Sequence, residues 1–428
     1  MPKPTSEAPR HVVVIGAGIV GAITALMLAE RGLNVTLVDR ESAPGQGTSR
    51  ANGGGITPGH AEPWNAPGII GRLLKADASG DRPFRLFPAA LPGLAGWGLR
   101  FLAESRPRRY FANARHCTRL AIHSRQCLAG LRERFAFDDQ AHREGSLELY
   151  FQQAALDQAL AMRKQTGADQ LPAKTLTPAT IVELEPSLSP IKTRLAGGLL
   201  LPAHESGDAC RFADQAAGHA ERLGARLRFG QQVDKVLLDG KRVTGLIIDG
   251  ETVEADAVVL AAGVASRLLA KPLGLKLPIQ AVKGYSLTLP LDDPDMAPAR
   301  PLLDLEKRIV TARFGDRLRV AGLADFDPQP ERLRPERCDL LRTSAARLFP
   351  QLAKPILAGD GEDWTGLRPM TPRGVPMLGA SPIQGLWLNT GHGAMGWTMA
   401  AGSAELLADL LCGQPTAIPL DGLGYSNA

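Results

Sequence analysis

The chain is poor in aromatic residues, at 5% of 428, and they do not interleave with lysine and arginine as a base-stacking platform requires. Nucleic acid is therefore set aside as a partner, while the net charge of +5 suits anionic small molecules or an acidic membrane surface. Cysteine is scarce too. Cys117, Cys127, Cys210, Cys338 and Cys412 are odd in number, scattered and free of any C-x-x-C spacing. That argues against a disulfide framework or a zinc site and for a reducing, cytoplasmic compartment. Long apolar runs are missing except for Val12–Ala29, which follows Lys3 and Arg10 and so imitates a signal peptide or membrane anchor. A second apolar strand follows it with no cleavage-like segment, and its glycines fall at motif spacing, so the run reads as folded protein. The length predicts two domains.

The same run carries the strongest motif. Val12 to Ile15 reads as a buried parallel strand, Gly16-Ala17-Gly18-Ile19-Val20-Gly21 as a G-x-G-x-x-G turn into a helix ending near Arg31, and Val35 to Val38 as the next strand, ending in Asp39. Gly16 allows the tight turn, Gly18 lets backbone approach a pyrophosphate and Gly21 allows close helix–strand packing. The helix N-terminus offers N–H groups to phosphates, and Asp39 accepts from a ribose.

Between these and the C-terminus the chain alternates loops, helices and strands. Met1–Arg10 is expected to be a disordered tail. Glu41–Gly59, rich in Gly, Pro and Ser, is too irregular for a regular element and long enough to be functional. Thr48, Ser49 and Asn52 offer short polar groups there, and Gly53-Gly54-Gly55 let backbone lie flat against something planar. His60, Trp64 and Asn65 follow as residues bordering a pocket. From Arg72 to Gln165 helices are expected, with Arg100, Arg106, Arg108, Arg109 and Arg115 among Trp97, Phe101, Tyr110 and Phe111. This basic, aromatic segment reads either as a solvated helical face or as a rest on an anionic membrane. Strands are expected at Leu195–Pro202, Val233–Leu238, Val243–Ile248, Glu251–Glu254, Ala257–Leu260 and Val282–Leu289, with Asp239-Gly240 as a hairpin turn. The strands from Val243 to Leu260 are expected to return to the first domain. Near the end, Gly391-His392-Gly393-Ala394-Met395-Gly396-Trp397 leads into a helix, Thr398–Leu411. A second glycine-rich turn is unnecessary in a plain nicotinamide enzyme. A flavin needs one, because its pyrimidine edge gathers negative charge on reduction.

In order, GAGIVG…LVD, TSRANGGGITPGHAEPWNAPG, AVVLAAG, VKGYSLTL, LRPMTPRGVPMLG and GHGAMGWT resemble the FAD-dependent D-amino-acid dehydrogenase branch of the D-amino-acid oxidase (DAO) family, over nearly the whole chain. The resemblance implies an α/β fold: a Rossmann-like FAD-binding domain from three segments (11–72, 196–270 and 360–428) and a substrate domain built on an antiparallel β-sheet with helices (73–195 and 271–359). Carried over by position, Gly16, Gly18, Gly21 and Asp39 hold the ADP part, Thr48, Ser49, Asn52 and Gly53 run beside the flavin, and Val233 contacts adenine. Gly391, Gly393, Met395, Gly396, Trp397 and Thr398 cap the pyrimidine end, and the cofactor set also takes in Arg40, Gly54 and Gly263. Arg368, in LRPMTP, stands where the family's oxidases clamp the substrate carboxylate, which an arginine fork meets bidentately. His60, Lys283, Tyr285 and His392 are further pocket candidates. No metal is implied. LRPMTP lacks the cysteine by which sarcosine oxidase relatives attach flavin, so FAD is expected to be non-covalent. Two departures stand out: Arg373 replaces the branch's usual acid, and Gly53-Gly54-Gly55 is more open than usual, leaving room for a cyclic substrate.

The activity implied is oxidative deamination of a D-amino acid. A hydride passes from Cα to flavin N5, an imino acid forms, and electrons go to a quinone-type acceptor. D-Proline and D-hydroxyproline are the favoured substrates. The alternatives are a glycine- or sarcosine-type oxidase using oxygen, a flavoprotein subunit without its own catalysis and, more remotely, a nicotinamide dehydrogenase. A cytoplasmic enzyme touching the inner face of the cytoplasmic membrane is expected.

Overall fold

The structure is a computed structural model that describes residues 9–69, 71 and 83–425. The Val12–Ile15 strand, His11–Ile15, lies inside a sheet that has six strands among the described residues. Asn34–Asp39 pairs with one edge of it and Ala257–Leu260 with the other, both parallel. Arg226–Phe229 and Leu386–Thr390 extend the sheet in parallel, and Met377–Ala380 adds an antiparallel edge. Helices cover one face of the sheet, over Val12, Val14, Val35 and Leu37, and strands from residues 233–254 cover the other, over Val13, Ile15 and Val38, which explains why its inner strands read as unbroken β-branched runs. The chain leaves His11–Ile15 toward one neighbour and returns much later to the other. Its carboxyl end is therefore a switch point, where such sheets open a crevice.

The first helix, Ile19–Glu30, is buried along nearly its whole length and packs against both Ala209–Arg222 and the C-terminal helix Gly396–Leu411. Small side chains make that possible: alanines at 22, 25, 213, 216, 217, 400, 401 and 404 lie in this core. The approach to the turn is closer still. Gly16 has φ of +105°, and a β-carbon on it would lie 2.8 Å from the carbonyl oxygen of Ala261, while one on Gly21 would collide with the carbonyl oxygen of Gly16.

The second layer is a mixed, mainly antiparallel sheet. Gln280–Pro290 lies between Glu362–Met370 and Arg317–Phe326, and the sheet continues through Ile309–Phe314, Leu302–Asp304, Ser146–Tyr150, Gly197–Leu201 and Lys174–Leu176. The helix Pro335–Leu348 packs on one face of it, burying Tyr285, Leu287, Val320, Leu341 and Ala345. The Asp239-Gly240 hairpin is present, with Asp239 opposite Arg242.

Several expectations change here. Val243–Ile248 and Glu251–Glu254 join Val233–Asp239 in a separate three-stranded sheet, and only Ala257–Leu260 enters the first one. Beside the expected boundaries at 196 and 360, Gly197–Leu201 and Glu362–Met370 are strands of the large second sheet. The long helix Pro107–Phe135, assigned to the substrate domain, buries Cys117, Leu120, Ala121, Leu128 and Leu131 in the core of the first and last helices. Spacing reveals an apolar stripe but not which layer it meets. Of the expected tail, all but Pro9 and Arg10 falls outside the described residues, as does Arg72 at the start of the expected helical region.

The contact at the turn is testable. Gly21→Ala should cost about 3 kcal/mol of stability through overpacking, read as a shift in the urea midpoint. A variant unfolding with the wild type would show that the helix can back away from the turn.

Candidate active site

A cavity of about 1130 Å³ runs from the carboxyl end of His11–Ile15 to the large sheet, where Gly284, Val310, Ala321 and Arg368 line it. Gly16, Gly18, Asp39, Arg40, Val233 and Gly263 line one end of it, and Gly391, His392, Gly393, Met395, Gly396 and Trp397 line another stretch, with Thr48, Ser49, Asn52, Gly53 and Gly54 between. The two glycine turns thus face one space, larger than the sites of ordinary small ligands.

This wall suits a dinucleotide. Neither flanking helix carries a side-chain cap on its N-cap residue, and neither has an acid in its first turn, so both amino ends leave partial positive charge toward the cavity. Ser49 Oγ accepts the Ile19 N–H at 3.0 Å, and Asp39 holds the turn through Ala17 N–H (2.5 Å) and Glu41 N–H (2.9 Å). Gly391 and Gly393 have φ of +80° and +57°, and β-carbons there would meet Thr371 and Met370 at 2.8 and 2.9 Å. Asn389, also lining the cavity, has its Oδ1 buried without a hydrogen-bond partner. None of the five cysteines lines the cavity, so a cysteinyl attachment of flavin has no partner there.

Arg368 projects from the edge strand Glu362–Met370, opposite Val282. Its guanidinium lies 5.3 Å from the Trp64 ring centre, and its Nη1 donates to the carbonyl of Leu323 at 3.0 Å. No carboxylate among the described residues lies within ion-pair distance of it. Burial lowers its pKa to about 10, against a smaller opposing pull from Asp325, so it stays cationic at neutral pH. The room for it comes from Gly284, where a β-carbon would lie 2.5 Å from the guanidinium carbon. The strand pair bulges between Lys283 and Tyr285, and Leu323, the residue presenting its carbonyl, sits at φ of +60°, a conformation costly for leucine. Even a half-buried cation without a counter-charge is costly, and an incoming carboxylate offsets that cost.

His60 lines the same cavity. Its Nε2 meets the buried carboxylate of Glu148, and its Nδ1 lies 3.5 Å from Glu62. Burial opposes its charged form, but the two carboxylates outweigh that and raise its pKa to about 10. Burial likewise opposes ionisation of Glu148. His60, together with the Tyr150 hydroxyl donating at 2.5 Å, more than compensates and lowers it to about 2. His392, by contrast, is pulled down to about 4 by burial alone and shares a 3.1 Å hydrogen bond with Ser403, so it is neutral at working pH.

Other candidates lie elsewhere. Lys283 points away from the cavity. Its ammonium donates to Asp327 at 2.7 Å and to the carbonyls of Gln329 and Arg332, a fully buried structural pair. Strand alternation places Tyr285 on that same far face: it borders the cavity, but its ring lies in the core under the sheet and its hydroxyl donates to Asp325 at 2.9 Å. Thr398 does not line the cavity and accepts the Thr57 N–H at 3.1 Å. Trp397 borders it while its indole donates to the Gly207 carbonyl at 3.0 Å. Gly21 works behind the wall, through packing. Arg373 does not line the cavity and donates to Asn113 at 3.3 Å. The loop glycines do not widen the cavity. A β-carbon on Gly54 would strike Phe314, and one on Gly53 would crowd Ala321 at 3.3 Å. Glu148, Gly284 and the Leu323 carbonyl went unnoticed in the sequence. Glycine at a strand centre, in VKGYS, was the one visible signal among them.

A Rossmann-like sheet whose switch point opens onto two helix amino ends defines a flavin-dependent oxidoreductase. The comparisons make this specific. A family model described as FAD dependent oxidoreductase (DAO) matches residues 11–410, and the chain belongs to that family, with FAD as its cofactor. A D-amino acid dehydrogenase of Paramagnetospirillum magneticum is 44% identical over 426 residues, covering 97% of this chain and 98% of the relative. In fold, the chain is similar to an L-proline dehydrogenase from P. horikoshii (TM-score 0.75, 17% identity, 98% and 97% of the two chains). It is also similar to a glycine oxidase from Geobacillus kaustophilus (TM-score 0.72, 23% identity, 99% and 100%).

The His60–Glu148 pair sets a pH dependence. The His60 pKa is raised on folding, so its contribution is full below about 6.5 and lost as pH rises through about 10. The Glu148 pKa is depressed, so its contribution is present above 4.5 and lost as pH falls through about 2. Histidine-selective NMR should show no His60 titration between pH 6 and 8.5. Glu148→Gln should bring that titration down by more than one unit. An unchanged His60 titration in the variant would remove the pair from the account.

Proposed function

We propose that the protein oxidatively deaminates a D-amino acid, with electrons passing onward to a quinone-type acceptor. The observation that carries this reading is Arg368: a half-buried cation without an ion pair, set in the wall of the cavity that both glycine turns share. The 44% identity to a D-amino acid dehydrogenase across nearly the full length of both chains supports it.

The bound FAD supplies the two-electron acceptor for the hydride leaving Cα. The chain's residues supply binding and orientation. Arg368 takes the substrate carboxylate in a bidentate fork, with Trp64 beside the guanidinium and the Leu323 carbonyl fixing its rotation. Gly284 keeps that guanidinium seated against the strand. Gly16, Gly18, Asp39 and Arg40 would hold the nucleotide half, Ser49 braces the first turn, and Thr48, Asn52, Gly53 and Gly54 would border the ring system. The amino end of Gly396–Leu411 would favour negative charge on a group bound there. His392, being neutral, steadies this turn through its hydrogen bond with Ser403 and adds no charge to the site.

The acceptor side draws on a surface feature. Leu91, Leu99 and Leu102 are exposed on the helix Leu91–Glu104, Leu86 lies just before it, and Arg106 and Arg108 follow it on the surface. Under this helix, Trp97 packs with Trp64, Phe84 and Met370, the first two of which line the cavity. An apolar, basic face of this kind fits the inner face of an anionic membrane, where a quinone resides. Among the described residues no helix is long and apolar enough to cross a membrane, so the contact is peripheral. Co-sedimentation should favour anionic over neutral vesicles and weaken in Leu99→Asp. Equal partitioning of both proteins would exclude this face.

The central test is an anaerobic screen of amino acid enantiomers, D-proline and D-hydroxyproline included, read by flavin bleaching. D-enantiomers should bleach and their mirror images should not; failure of every amino acid would favour a non-catalytic subunit. Re-oxidation by a soluble quinone should outpace re-oxidation by air, and the reverse ranking would point to an oxidase. Arg368→Ala should raise apparent KM about 30-fold, the loss of roughly 2 kcal/mol of charged hydrogen bonding. A change within twofold would remove the clamp. Gly284→Ala should reproduce part of that loss.

A further inference from the structure

The long helix Pro107–Phe135 and the C-terminal helix Gly396–Leu411 meet closely. A β-carbon on Gly402 would lie 2.8 Å from the Cα of Ser124, so only glycine allows this spacing. One turn further along, three different donor groups converge inside an otherwise apolar, alanine-rich interface. His123 and Cys127 stand four residues apart on one helix face, and Glu405 reaches them from the other helix. His123 Nε2 lies 2.9 Å from Glu405 Oε2, Cys127 Sγ lies 3.1 Å from the same oxygen, and Sγ lies 3.4 Å from the same Nε2.

Two readings compete for such a trio. A nucleophile relay needs the cysteine and the acid on opposite nitrogens of the imidazole. Here both meet Nε2, and burial with the neighbouring Glu405 pushes the Cys127 thiol well above its ordinary pKa, so it is not an activated nucleophile. Convergence of imidazole nitrogen, sulfur and carboxylate oxygen on one point is what a tetrahedral metal requires. A zinc ion about 2.0–2.3 Å from each would place the donors roughly 3.3–3.7 Å apart, close to the spacing already present. Glu405 is partly exposed, with 28% of its side chain accessible, leaving an entry path and a fourth position for water. A thiolate and a carboxylate also neutralise a divalent charge. The nearby Arg31 is taken up by Asp409 at 2.5 Å.

We propose that His123, Cys127 and Glu405 form a binding site for a divalent transition metal of the zinc type, clamping the C-terminal helix to the long helix behind the flavin-facing turn. Binding forms bonds from the metal to Nε2, Sγ and a Glu405 oxygen, and releases the thiol proton to solvent, with no change of redox state. The site is separate from the cavity, since none of its residues lines it, and no step of the proposed reaction passes through it.

The test is a Zn²⁺ titration of the tag-free, FAD-loaded protein in competition with a chromophoric chelator, alongside mass-spectrometric alkylation of Cys127. The wild type should take up one equivalent, and Zn²⁺ should protect Cys127 from alkylation. Cys127→Ser and His123→Gln should each weaken uptake at least tenfold, whereas Cys338→Ser, in the other layer, should match the wild type. No uptake by the wild type, or uptake that survives loss of both His123 and Cys127, would overturn the site. Should either single variant lose flavin, the wild-type titration and the protection of Cys127 still decide.

Discussion

Backbone against backbone is the constraint on which this molecule depends. The first turn works only because nothing projects from Gly16 or Gly21. The helix can therefore start right over the end of its strand, and its amino end points into the space above the sheet. The same economy of side chains recurs where Gly402 meets Ser124 and brings the last helix against the long one. Alanine fills the remaining interface. Packing this tight leaves little freedom for either amino end to move, which is the preorganisation that an electrostatic site needs.

Against that rigid half, the substrate sheet contributes charge. Arg368 sits in the wall as a cation whose own strand neighbours make room for it, and the costly φ of Leu323 aims one carbonyl at it. The His60–Glu148 pair, on the same cavity, is mutually satisfied.

How much of this could be read in advance depended on distance along the chain. The strand–turn–helix of Val12–Asp39 is local, and its glycine spacing encodes its geometry. The second turn at Gly391–Gly396 is equally local, and the resemblance tied the two together. What escaped was non-local. Lys283 and Tyr285 have the chemistry of pocket residues, but strand alternation turns both toward the core, where Asp327 and Asp325 satisfy them. The glycine run at 53–55 suggested open space, whereas Phe314 and Ala321, more than 250 residues away, fill it. Lack of a C-x-x-C likewise hid His123, Cys127 and Glu405, whose third member lies 278 residues from Cys127.

The segment between Asp39 and His60 has a mechanical meaning of its own. It starts in the nucleotide-side sheet, and it is then sewn to the opposite layer: Thr48 Oγ1 donates to the Leu367 carbonyl at 2.8 Å, Arg319 donates to the Asn52 carbonyl at 3.2 Å, and Phe314 abuts Gly54. Swinging the two layers apart like a clamshell would tear all three attachments at once. In the proposed reaction, traffic of reactant and product would accordingly be left to small rearrangements at the rim.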